Sequence, residues 1–167
     1  LQNENEQYAT FVYDPVGRLL KEAGFDGHNT RYEYAPETGR LARTIDGQRV
    51  ISLEFDPMGR LTERRASLSI DGAVSSKAKE QLERYAYDGN GNLLLASNND
   101  SKLQFFHDAA GNLTREHQHY SGLKQPQVAV WQHQYDALNQ RIATVRPDGH
   151  KVSWLTYGSG HLLGMRL

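Results

Sequence analysis

The chain of 167 residues contains no cysteine, and that absence excludes disulfides and thiolate metal sites. It has little net charge: 19 Lys and Arg stand against 20 Asp and Glu. The basic residues are scattered, which argues against a dedicated nucleic-acid binder. No apolar run is long enough to span a bilayer, and no signal peptide is visible. Proline is scarce at 5 residues, and no long 3.6-residue periodicity points to helices. With 38% apolar and 23% charged residues, the composition is that of a globular domain and not of a disordered chain.

What the chain does have is a phrase that returns. YDPVGRLLKE at 13–22 is nearly repeated by FDPMGRLTER at 55–64, with YAPETGRLART between them. YDGNGNLLLA, HDAAGNLTRE and YDALNQRIAT follow. Aligned on the aromatic position, units begin at Tyr13, Tyr34, Phe55, Tyr87, His107, Tyr135 and Tyr157. Such a period is the mark of a repeat architecture.

Each position of the phrase has a mechanical reason. Asp14, Asp56, Asp88, Asp108 and Asp136 can fold their carboxylates onto nearby backbone N–H groups. Gly17, Gly39, Gly59, Gly91 and Gly111 suit a left-handed backbone, and Asn139 takes that place in the sixth unit. The aromatic and the later Leu flank the loop and can pack across the hairpin. Asp-Gly pairs in FDGHN, IDGQR and PDGHK mark a second, tighter turn, with NNDSK in the equivalent place.

Between turns, segments such as RVISLEF and KVSWLTY alternate with a period of two. The spacing therefore predicts an all-β antiparallel meander of about a dozen short strands. One repeat buries too little to offset its own chain entropy, so the units must stack into an extended curved sheet. Residues 66–82 and 120–129 lengthen two units and read as surface loops, the first leading into a strand rather than a helical turn. The start at LQNENEQY and the stop inside an apolar run at GHLLGMRL suggest a piece of a longer repeat protein.

These units resemble the YD repeats of Rhs proteins, of toxin-complex C components and of teneurins. The segment TVRPDGHKVSWLTYGSGHLLGM is similar to the core of enterobacterial-type Rhs elements. The resemblance covers essentially the whole chain. It implies a spiral β-cocoon whose wall encloses a variable C-terminal toxin, carried into other cells by type VI secretion or a similar route in bacterial competition. The implied partners are further shell repeats, the enclosed toxin domain and secretion-apparatus proteins. No counterpart of the family's self-cleaving aspartyl region, with its DPxGL-like segment, is found, so no catalytic residue carries over. No cofactor, no nucleic acid and no membrane span are implied, and the expected role is structural, not enzymatic. Departures are Ala35 for the Asp of the second unit, His107 for an aromatic, and Tyr157-Gly-Ser-Gly without the Asp.

Three other chemistries compete. His117, His119 and His133 could hold a zinc or nickel ion for a metal-dependent enzyme if strands bring them together. The bland alternative is a polar strand edge. An aromatic face including Tyr8, Tyr32, Tyr34, Tyr85, Tyr87, Trp131 and Trp154 could bind a glycan or a partner protein in an extracellular module. Paired carboxylates for acid–base work are disfavoured, because the same Asp recurring in successive turns has a backbone task. YGSGH lacks a nucleophile elbow. Exposed sheet edges would also favour self-association of the isolated chain.

Overall fold

A computed structural model describes residues 1–70, 73–74, 80–121, 127–158 and 160–166. The chain divides into two compact units, Leu1–Glu83 and Arg84–Leu167. The first holds β1 (Thr10–Tyr13), β2 (Leu19–Ala23), β3 (Asn29–Tyr34), β4 (Leu41–Asp46), β5 (Arg49–Phe55), β6 (Leu61–Ile70) and β7 (Ala73–Val74). The second holds most of β8 (Gln81–Tyr87), then β9 (Leu93–Ser97), β10 (Ser101–His107), β11 (Leu113–Tyr120), β12 (Gln127–Tyr135), β13 (Arg141–Val145), β14 (Lys151–Tyr157) and β15 (His161–Arg166). In the first unit β1 to β6 pair antiparallel in sequence order and β7 pairs with β6, and in the second β8 to β15 pair antiparallel in the same way. The expected all-β meander stands.

The aromatic of every repeat closes a strand. Tyr13, Tyr34, Phe55, Tyr87, His107, Tyr135 and Tyr157 are the last residues of β1, β3, β5, β8, β10, β12 and β14. Five of them sit directly opposite the repeat's Leu: Tyr13 with Leu19, Tyr34 with Leu41, Phe55 with Leu61, Tyr87 with Leu93 and His107 with Leu113. A register shift falls just before each of these aromatics, so the ladder bulges where the chain leaves for the wide turn.

Alternation then sorts side chains by face. In the first unit Tyr32, Thr44, Ile51 and Ala66 form one cross-strand row. Glu33, Arg43, Ser52 and Arg65 form a row on the opposite face. Arg43 pairs with Glu33 at 3.4 Å and Arg65 with Glu63 at 2.6 Å on that charged face. The buried apolar side chains among the described residues are small or medium: Ala9, Val50, Ala66 and Ala143. A sheet one layer thick leaves its large side chains half-covered, because only their in-plane neighbours shield them.

The two insertions are shorter as loops than the sequence suggests. Ala66–Leu68 continue β6 in pairing with β5, and Ala73–Val74 turn back onto Ile70 and Ser69. The β-branched and alternating residues there extend the ladder while a partner strand is available. Gln81 already opens β8, so the expected strand after the loop is present. In the second insertion Tyr120 ends β11 and Gln127 begins β12, facing each other across the ladder. Residues 71–72, 75–79 and 122–126 lie outside the described residues.

Candidate functional site

The repeated wide turn is the feature with the most densely organised chemistry. In the first, the Asp14 N–H donates to the Arg18 carbonyl at 2.9 Å and the Gly17 N–H to the Asp14 carbonyl at 3.0 Å. The Asp14 carboxylate accepts from the Val16 N–H at 3.0 Å, the Arg18 N–H at 2.8 Å and the Arg18 Nε at 2.6 Å. One carboxylate thus holds three donors and closes the loop around itself. Gly17 completes it at a φ of 86°.

The same geometry recurs with different donors. Asp56 binds the Arg60 N–H and Nε, while Asp88 and Asp108 bind the backbone and side-chain amides of Asn92 and Asn112. Asp136 accepts from the Leu138 and Gln140 N–H groups. Asn139 takes the left-handed position at a φ of 60°. In the second turn, where Ala35 offers no carboxylate, the Thr38 hydroxyl accepts the Arg40 N–H at 3.3 Å. The side chain after the glycine bonds the turn Asp as Arg18, Arg60, Asn92 and Asn112, while Gln140 reaches Asp136 through its backbone N–H.

Hydrogen bonding to the ionised form lowers the carboxyl pKa in several turns. For Asp56 the Arg60 N–H is the leading cause, and for Asp88 and Asp108 it is the side-chain amides of Asn92 and Asn112. Burial works against the Asp14 carboxylate, but bonds to Arg18 outweigh it and the pKa still falls.

The same Arg, Asn or Gln also reaches forward to the following turn. In the first unit Arg18 Nη1 donates to the Gly39 carbonyl at 3.3 Å, and Arg40 Nη1 donates to the Asp56 carbonyl at 3.4 Å. A Cβ built at Gly59 would fall within the Arg40 guanidinium. In the second unit Asn112 donates to Asn139 Oδ1 at 2.8 Å, and Gln140 lies 3.1 Å from where a Gly160 Cβ would be. Glycine at the left-handed position thus serves twice, for its φ and for the passage of the neighbouring arm. Tyrosines run a parallel set of links: Tyr34 donates to the Leu19 carbonyl and Tyr135 to the Leu113 carbonyl, each at 2.8 Å. Arg18 also lies over the Tyr34 ring at 4.7 Å.

The consensus made the polar residue after the glycine visible, but its reach from turn to turn is missed by reading one repeat at a time. The tight turns use the same device on a smaller scale. Asp26 and Asp148 accept the N–H groups of His28 and His150, and in NNDSK it is Asn98 that accepts those of Asp100 and Ser101.

The histidine cluster is corrected by register. His117 and His119 share one face of β11, with ring centroids 6.1 Å apart, and His119 meets Gln104 at 3.1 Å. His117 is opposite Val130, and His133 lies three residues further along β12, an odd number that puts it on the other face. There His133 Nδ1 meets Thr144 Oγ1 at 2.8 Å. The three cannot converge on one ion, and no group of three metal-ligating side chains exists among the described residues. Of the aromatic face, Tyr32, Tyr34 and Trp154 are engaged within the sheet, while Tyr8 is 63% exposed. The Tyr32 hydroxyl donates to Glu22 at 2.7 Å, a bond that, with burial, pushes its pKa up to about 12. Arg141 covers the Trp154 ring at 4.8 Å.

Against known proteins, no family model matches the chain. Over 97 residues, 58% of the chain, it is 36% identical to toxin protein Tse5 of Pseudomonas aeruginosa. Over 99% of the chain it is 26% identical to double-stranded DNA deaminase toxin A of Burkholderia cenocepacia. The matched regions are 7% and 12% of those two proteins, so the chain spans a small part of their length. Its fold matches the Photorhabdus luminescens Tc holotoxin pore with a TM-score of 0.71 and 17% identity, over 95% of this chain and 9% of that one. A crystal structure of TcdB2-TccC3 matches with the same TM-score and coverage. The resemblance to the Rhs and YD-repeat proteins read from the turns holds in sequence and in fold.

Proposed function

We propose that the chain is a non-catalytic segment of an Rhs-type repeat wall that encloses and carries a C-terminal toxin domain for use against other cells. The observation that carries this reading is the turn-to-turn linkage within each unit, Arg18 to Gly39 in the first and Asn112 to Asn139 in the second. A group that recurs at each repeat and is consumed by its neighbour builds a wall. An active site needs a constellation that occurs once. The toxins to which the chain is similar support the setting.

In this role the partners are further repeats of the same shell, the enclosed toxin domain and a secretion apparatus of the type VI kind. Delivery into a target cell is the matching location. Among the described residues no helix is long and apolar enough to cross a membrane.

The test is limited proteolysis of the longer protein that contains this segment. With the wall intact, the C-terminal domain should resist digestion. Replacing Asn112 and Asn139 by Ala together should loosen the second unit and let the protease in. Identical digestion of that domain with and without the replacements, in a wall that has measurably loosened, would overturn the proposal. So would an enzymatic turnover by the isolated 167-residue chain.

A further inference from the structure

Register sorts the strands of the second unit into two faces of unlike charge. Strands β9 to β15 carry one carboxylate, Glu116, which stands opposite Trp131 on the face that also holds His133. The reverse face has Phe106, Arg115, Gln132, Val145 and Lys151 in one cross-strand row. Gln104, His117 and Val130 make the next row, and Lys102, His119 and Val128 the third. Lys102, Arg115 and Lys151 are exposed, and no acidic side chain lies between them on these strands. The charged face of the first unit differs, because there Glu33 and Glu63 meet Arg43 and Arg65.

We propose that this cationic face is a docking surface for an extended acidic segment of another polypeptide, laid along β11 with a carboxylate on every second residue, and gripped more tightly once His117 and His119 are protonated. Charge complementarity selects the occupant, since the face offers cations and amides and no competing carboxylate. Spacing selects its form. Arg115, His117 and His119 are alternate residues of one strand, so their Cβ atoms repeat about every 7 Å. The two histidine rings are centred 6.1 Å apart. Alternate side chains of an extended peptide repeat at the same interval. Lys102 flanks His119 from β10, and Arg115 lies over the Phe106 ring at 4.4 Å.

Histidine is the side chain that changes charge in mildly acidic water. Lys102, Gln104 and Phe106 of β10 and Val128, Val130 and Gln132 of β12 flank the pair on this face. None of them is acidic, so the charge gained is left for a ligand. His119 Nε2 lies 3.1 Å from Gln104 Oε1, an acceptor that a protonated ring keeps. The surface lies wholly within the second unit, so its test stands apart from that of the enclosing wall.

A fluorescent peptide of four Glu-Ser repeats, added to the 167-residue chain, probes the surface by anisotropy at about pH 7.5 and pH 5.5. The peptide stays ionised across that range, so a change in affinity reports the chain. Binding should be about fourfold tighter at the lower pH, roughly twofold for each histidine, the scale of an exposed ion pair. His117→Gln with His119→Gln should abolish that gain and leave affinity at the higher pH unchanged. Lys102→Gln with Arg115→Gln should weaken binding about fourfold at both pH values and keep the gain. No binding at either pH overturns the proposal, as does a gain that survives the loss of both histidines. Binding untouched by the loss of Lys102 and Arg115 overturns it too. A single-stranded oligothymidylate is the competing polyanion, and tighter binding of it than of the peptide would assign the face to nucleic acid and overturn the acidic-segment reading.

Discussion

The side-chain amide of Asn112 donates to Asn139 Oδ1 at 2.8 Å and to Asp108 Oδ2 at 2.9 Å. One NH2 group closes its own turn and holds the next. Asn139 is the left-handed residue of that next turn, the place glycine takes in the other six. A side chain is accommodated there because it accepts the arm, where at Gly59 a Cβ would meet the Arg40 guanidinium.

Replacing Asn139 by Ala should therefore cost more than replacing it by Gly. Alanine at a φ of 60° carries about 1–2 kcal/mol of backbone strain and loses the Asn112 bond as well. Glycine loses only the bond, about 1 kcal/mol. Urea midpoints of the two variants, compared at equal m-value, check the order.

Gly59 and Gly17 test the second use of glycine. Both have a left-handed backbone, at φ values of 89° and 86°, but only Gly59 lies under a neighbouring arm. Gly59→Ala should destabilise the chain more than Gly17→Ala by about 1 kcal/mol, the usual scale of an overpacked contact. In an Arg40→Ala background that difference should vanish. A double-mutant cycle in thermal unfolding reads the coupling directly.

The turn carboxylates set the acid limb of stability. Asp14, Asp56, Asp88 and Asp108 all have folded pKa values below their ordinary 3.8. The unfolded chain then binds protons more readily, so their contribution is complete above that value and is lost as pH falls through the lower folded values. Stability should decline steeply below about pH 4. Asp56→Asn should flatten that decline, and melting scans across the acid range would show it.

His133 acts in a higher window. Burial is the main cause that lowers its pKa from 6.5, Arg141 adds to it, and Glu116 opposes it. The fold prefers the neutral ring, so stability is complete above the ordinary value and falls as pH drops from there through the folded value. Glu116→Gln removes the opposing charge and should lower the His133 pKa further, deepening the loss. Titration of the ring by NMR gives the sign.

Tyr34→Phe and Tyr135→Phe each delete one hydroxyl bond to a Leu carbonyl while keeping the ring. Each should cost about 1 kcal/mol, and the two should add, because they lie in separate units with no shared partner. Chemical unfolding of the single and double variants checks both statements.

Much of this fold was legible in the residues because turn chemistry is local. Asp14 and Gly17 are three residues apart, and a carboxylate that short of reach has few donors to choose from. Alternation in RVISLEF names a strand for the same reason. The loops were less legible: whether Ala66–Leu68 pair depends on β5 extending alongside them, which their own composition does not state. The histidines show the limit most sharply. His117 and His119 share a face by simple parity, but the face of His133 depends on which residue of β12 stands opposite β11, and that is a matter of register.

The sequence by itself determined the turns, their spacing and the antiparallel meander, since each depends on groups within a few residues of one another. Tertiary structure alone decided that Arg18 reaches Gly39, that Asn112 reaches Asn139, and that His133 stands apart from His117. Those outcomes join residues 16 to 27 positions apart. Only strand pairing brings such positions together, and a single shift in pairing would send each side chain to the opposite face.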